Sequence, residues 1–95
     1  MSEMVPIAEY RLTDHARLEM KRRQITDADI AQVLFAPEQT EMVRPGRVVY
    51  RSRVEFGEPR RTYLLRVFVD VDRRPAEVVT AYRTTKIEQY WGQGS

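Results

Sequence analysis

The side chains alternate along Arg47–Phe56, and this constrains the fold more than any other feature of the chain. Val48, Tyr50, Ser52, Val54 and Phe56 fall on one side of an extended segment. Arg47, Arg51, Arg53 and Glu55, with Val49, fall on the other. Successive side chains of a strand point to opposite faces of its sheet, so the pattern predicts a strand with one apolar and one charged face. Residues 63–71 repeat it: Tyr63, Leu65, Val67, Val69 and Val71 share one face, and the mixed set Leu64, Arg66, Phe68 and Asp70 the other. Residues 77–82 are short and β-branched, as suits a central strand, and residues 41–43 suit a further short one. Pro45-Gly46, Gly57-Glu58-Pro59 and Asp72-Arg73-Arg74-Pro75 punctuate these segments as turns.

The preceding third has a different period. Leu12, Ala16 and Met20 recur at spacing four, and Thr13 with Asp14 forms a helix start. Thr26-Asp27-Ala28-Asp29 has the form of a capping box, opening a second helix that presents Ile30, Val33 and Leu34 and must end before Pro37. Gln24-Ile25 joins the two. After the strands, Thr84 or Thr85 is expected to cap a last short helix through Trp91, stopped by Gly92. The fold class predicted is α+β: two N-terminal helices on one face of a three- to four-stranded antiparallel sheet, with Arg51 and Arg53 on the helix-free face. Residues 1–95 are expected to form a single domain with an ordered core over about residues 10–92, the two ends lying loose.

The 95 residues include no Cys, which excludes disulfides and zinc–cysteine sites and suits a reducing cytoplasm. The N-terminus lacks the features of a signal peptide, no stretch suits a membrane span, and no metal-ligand cluster is visible. Net charge is only +2, but it is unevenly placed. Between Met42 and Arg74 nine arginines face four acids, a local +5 against −3 elsewhere. Such a field suits a phosphate backbone or an acidic protein, and equally a solvated sheet face.

His15, the only histidine, lies near the start of the first helix, where the dipole favours the neutral form that can accept a proton. It can equally be a boundary residue of an ordinary helix. Arg23 falls on the core side of the same helix with Glu19 one turn earlier, which allows a helix ion pair or a phosphate clamp. Thr80, Tyr82, Arg83 and Lys86 gather phosphate-friendly donors in a short span.

Two segments also resemble a known family. The first runs through Leu12-Thr13-Asp14-His15-Ala16, Met20, Arg23, Ile25-Thr26, Asp29-Ile30, Val33-Leu34 and Pro37-Glu38. The second is the Val78-Val79-Thr80-Ala81-Tyr82 strand leading into a Lys- and Tyr-containing segment ending at Trp91. Both are similar to the domain of unknown function 4258 family, within the RelE/ParE-like (barnase/EndoU/colicin/RelE-type) toxin superfamily. Glu19 stands where that family usually has Arg, and Gln24 where it usually has Gly.

The resemblance implies a cytoplasmic, toxin-like, metal-independent RNA endonuclease from a toxin–antitoxin setting, needing no cofactor. The resemblance matches His15, Arg23 and Thr80 to family residues; in such an enzyme these with Lys86 would be catalytic, and the phosphate-friendly Arg51, Arg53, Tyr82 and Arg83 would bind nucleic acid. RNA, a cognate antitoxin protein and a second copy of the chain are the expected partners. The alternative is a non-catalytic module of the same fold that binds a protein target or RNA through its basic sheet face.

Overall fold

The computed structural model describes residues 7–91. The chain runs β1 (Tyr10–Leu12), α1 (Asp14–Arg23), α2 (Asp27–Phe35), β2 (Gln39–Arg44), β3 (Arg47–Phe56), β4 (Arg61–Asp70), β5 (Ala76–Thr84) and α3 (Ile87–Tyr90). The strands form one sheet of five, in the order β1-β5-β4-β3-β2. The α+β class is as expected, but the three- to four-stranded antiparallel sheet is corrected to a five-stranded mixed one, because β1 pairs with β5 in parallel. Leu12, expected in the stripe of the first helix, is the last residue of this strand, opposite Val78. Three residues are too few to show a period, so β1 is held by non-local bonds: its ladder with β5 and an Arg11–Glu77 ion pair at 2.9 Å. Residues 1–6 and 92–95, including the expected helix stop Gly92, lie outside the described residues. Ile7, expected within a loose end, is tied down, its amide donating to the Leu34 carbonyl at 2.9 Å.

Local signals explain both long helices. The Thr13 hydroxyl accepts from the Ala16 amide at 3.1 Å and donates to the Val78 carbonyl at 3.0 Å, so one side chain starts α1 and pins it to β5. At α2 the capping box is complete: Thr26 accepts from the Asp29 amide and Asp29 from the Thr26 amide, each at 3.0 Å. The helix ends at Phe35, before Pro37. The last helix differs from expectation. Its N-cap is Lys86, without a side-chain cap, and the Thr84 hydroxyl accepts from the Lys86 amide at 3.0 Å instead. The turn at Gly46 needs φ = +88°, and a Cβ there would meet an Asp72 carboxylate oxygen at 2.6 Å.

One core lies between the helices and the sheet. Ala16, Met20, Ile25, Ile30, Val33 and Leu34 pack onto Tyr50, Leu65, Val67, Val69, Val78 and Ala81. No helix among the described residues is long and apolar enough to cross a membrane.

Along β5 the alternation is interrupted. Val69 pairs with Val78 but Phe68 with Thr80, so Val79 is an extra residue in the ladder. Beyond this bulge Ala81 and Arg83 continue the helix-covered face begun by Val78. Thr80, Tyr82 and Thr84 turn to the reverse face, opposite Phe68, Arg66 and Leu64.

Candidate nucleic-acid interface

The reverse face takes its character from register. Arg51 stands opposite Arg66, Arg53 opposite Leu64 and Val49 opposite Phe68, with Tyr82 completing the row through Arg66. Two directly opposed guanidiniums repel, so each needs a local answer. Arg51 has one. It is 3% exposed, its Nε donates to Gln39 at 3.0 Å and its Nη1 to Glu41 at 2.9 Å. Arg53 donates to both Glu38 carboxylate oxygens at 3.1 Å and lies 4.6 Å from the Trp91 ring centroid. That bond holds the Glu38 carboxyl below the usual glutamate range. Arg47 is paired with Asp70 at 2.6 Å.

Arg66 is answered differently. Among the described residues it makes no ion pair; its Nη1 donates to the Tyr82 hydroxyl at 2.5 Å, and its guanidinium sits 4.0 Å from the Tyr90 ring, 5.1 Å from Phe68 and 5.6 Å from Tyr82. Phe68 and Tyr82 stack on one another, 6.3 Å apart and 13° from parallel. The Nε of Arg66 is buried without a hydrogen-bond partner among the described residues. Ring faces attract the cation by roughly 0.5–2 kcal/mol each, while an unmet buried donor costs about 1–3 kcal/mol. The result is a half-buried cation held by rings and a phenol. The face is not bare: Tyr90 and Trp91 lie over its arginines, and Val49 and Leu64 on it are fully buried.

The expected site residues separate into four places. Arg51, Arg53, Thr80 and Tyr82 share the reverse face. Arg23 and Arg83 meet on the helix side. Arg23 pairs with Glu19 at 2.5 Å and donates to the Ala81 carbonyl at 3.2 Å, and Arg83 donates to the carbonyls of Arg23 and Gln24. His15 is exposed on α1, across the sheet from Thr80 and Tyr82, and Lys86 is exposed at the start of α3. Arg66, Phe68 and Tyr90 were not among the expected site residues. Strand parity had put Arg66 and Phe68 on the mixed face of their strand; the missing information was which face would meet the arginines of β3.

The family model described as a domain of unknown function (DUF4258) matches residues 12–83, from the end of β1 to the penultimate residue of β5. The chain belongs to the DUF4258 family. No curated protein and no solved structure matches it. Glu19 and Gln24 both shape the C-terminal part of α1 in this DUF4258 domain. Glu19 is buried and bridges Arg22 at 2.9 Å and Arg23 at 2.5 Å. Gln24 caps α1 in the left-handed region, at φ 58° and ψ 43°, where a glycine is unstrained.

Proposed function

We propose that this DUF4258 domain binds single-stranded RNA through the reverse face of its sheet. Arg66, Tyr82 and Tyr90 form the centre, with Arg53 and Trp91 beside them. The observation that carries the reading is Arg66: a half-buried cation with no carboxylate partner among the described residues, set among three aromatic rings. Guanidinium groups bind phosphate oxygens and stack on bases, and aromatic platforms accept any base, so this combination suits an unpaired strand. The RelE/ParE-like superfamily is part of the same proposal, supported by two helices on one face of a largely antiparallel sheet. So are cytoplasmic residence and a cognate antitoxin as partner.

The test is fluorescence anisotropy with a labelled single-stranded RNA across a salt series. Binding should weaken as salt rises, and Arg66→Gln should weaken it about tenfold. Equal affinity of the parent and Arg66→Gln rejects the face as the site.

A second reading, metal-independent RNA cleavage, is favoured by one contact: the Tyr82 hydroxyl held at 2.5 Å by a guanidinium. A phenol so placed can exchange a proton with a ribose or leaving oxygen while Arg66 meets the developing charge. His15, on the other side of the sheet, has no role in this version. Incubation with RNA in EDTA distinguishes the readings. Cleavage lost in Tyr82→Phe supports the nuclease, and intact RNA with retained binding supports the binding module.

A further inference from the structure

Charge is also concentrated at the C-terminal end of α1. Arg83 reaches from β5 to the carbonyls of Arg23 and Gln24, the last of that helix. Its guanidinium lies 3.6 Å from the ring centroid of Phe56, which meets Tyr63 edge-on at 6.1 Å. With Arg22, Arg23 and Gln24 these residues line an open cleft of about 350 Å³. Three arginines therefore line one space, and Glu19 is a carboxylate that pairs with two of them. Asp29, also within the field of Arg83, accepts from the Thr26 amide in the capping box. Arg61, the cross-strand partner of Phe56, is exposed beside them.

Carbonyl oxygens orient Arg83 but do not neutralise it, and burial holds its guanidinium below the usual arginine range. An oxyanion that accepted from Arg22, Arg23 and Arg83 together would meet that charge with several donors at once. The Phe56–Tyr63 pair forms an apolar wall beside it.

We propose that this cleft binds an organic phosphate, its phosphoryl group on Arg22, Arg23 and Arg83 and a flat apolar portion against Phe56 and Tyr63. The site lies on the opposite side of the sheet from Arg66 and does not depend on the RNA-binding reading. A free nucleotide and the terminal phosphate of an RNA carry the same chemistry.

The test is titration of the full chain, followed through backbone amide NMR shifts, with AMP, adenosine, and a short RNA with and without a 5′-phosphate. AMP or the 5′-phosphorylated RNA should move Arg83 and Tyr63 saturably, and removing the phosphate should weaken binding about tenfold or more. Arg83→Gln should abolish the response, and Arg66→Gln should leave the response to AMP unchanged. Arg22→Gln removes a largely exposed side chain and keeps the test open if Arg83→Gln fails to fold; it should weaken binding about threefold. A response to AMP assigns the site to free nucleotide, and one to phosphorylated RNA alone assigns it to a strand end. Three results overturn the proposal: no saturable shift at Arg83 with any probe, equal shifts at Arg83 and Tyr63 with and without the phosphate, or loss of the AMP response in Arg66→Gln.

Discussion

On the face beneath α1 and α2 the central strands present Tyr50, Leu65, Val67, Val69, Val78 and Ala81, all buried against apolar helix residues. On the reverse face the same strands present Arg51, Arg53, Arg66, Thr80 and Tyr82. Both faces are covered, but by different physics. The first gains from apolar burial, which needs only shape and volume. The second must satisfy charge, and it does so by lending acceptors from the segment at its edge: Glu38 to Arg53, and Gln39 and Glu41 to Arg51. Arg66 lies deeper in the row, between β3 and β5, and is met by rings and a phenol. Where the edge acceptors stop, rings take their place.

That contrast can be broken in several ways. Ile30→Ala, in the fully buried layer of α2, should cost roughly 2–5 kcal/mol in urea unfolding while leaving RNA affinity per folded molecule intact. Glu19→Gln leaves Arg22 and Arg23 without their shared carboxylate and should cost about 2 kcal/mol in the same assay. Arg66→Gln should do the reverse of Ile30→Ala, changing stability by less than about 1 kcal/mol and RNA affinity by about tenfold. A large loss of stability in that variant would make Arg66 a structural residue and sink the contrast.

Acid should affect the reverse face through Asp70. Its bond to Arg47 holds the folded-state carboxyl below the usual aspartate range. A pKa lowered by folding contributes stability that is present above the unfolded value near pH ~4 and is lost as pH falls through the folded value. Asp70→Asn should therefore flatten the acid limb of a plot of Tm against pH and change little of its shape above it. The smallest effect belongs to His15→Ala: exposed on α1, it should shift stability by less than about 0.5 kcal/mol and leave RNA affinity unchanged. Loss of an RNA-cleaving activity in that variant would reverse this ranking and restore His15 as a reacting group.

How much was legible follows the same division. Period-two alternation in β3 and β4, and the cap residues Thr13 and Thr26, are local signals, and they located these strands and both long helices. β1 was not legible because three residues carry no period and their partner lies far along the chain. The bulge at Val79 was not legible either, since Val78, Thr80 and Tyr82 alternate as if on one face. That single inserted residue decides which side of the sheet Tyr82 and Arg83 occupy. It puts Tyr82 with Arg66 and Arg83 with Arg23, so the two charged places of the molecule follow from one irregularity of one strand.

The parallel pairing of β1 with β5 bears on the order in which the molecule can be completed. Tyr10 leaves the ribosome early, but its partner Ala76 is made 66 residues later, and the Val78 carbonyl that receives Thr13 later still. A nascent chain ending before β5 has no neighbour for its first strand and no sheet surface beneath α1. β1 is thus made well before the strand that secures it, and loop closure across 66 residues must precede that step.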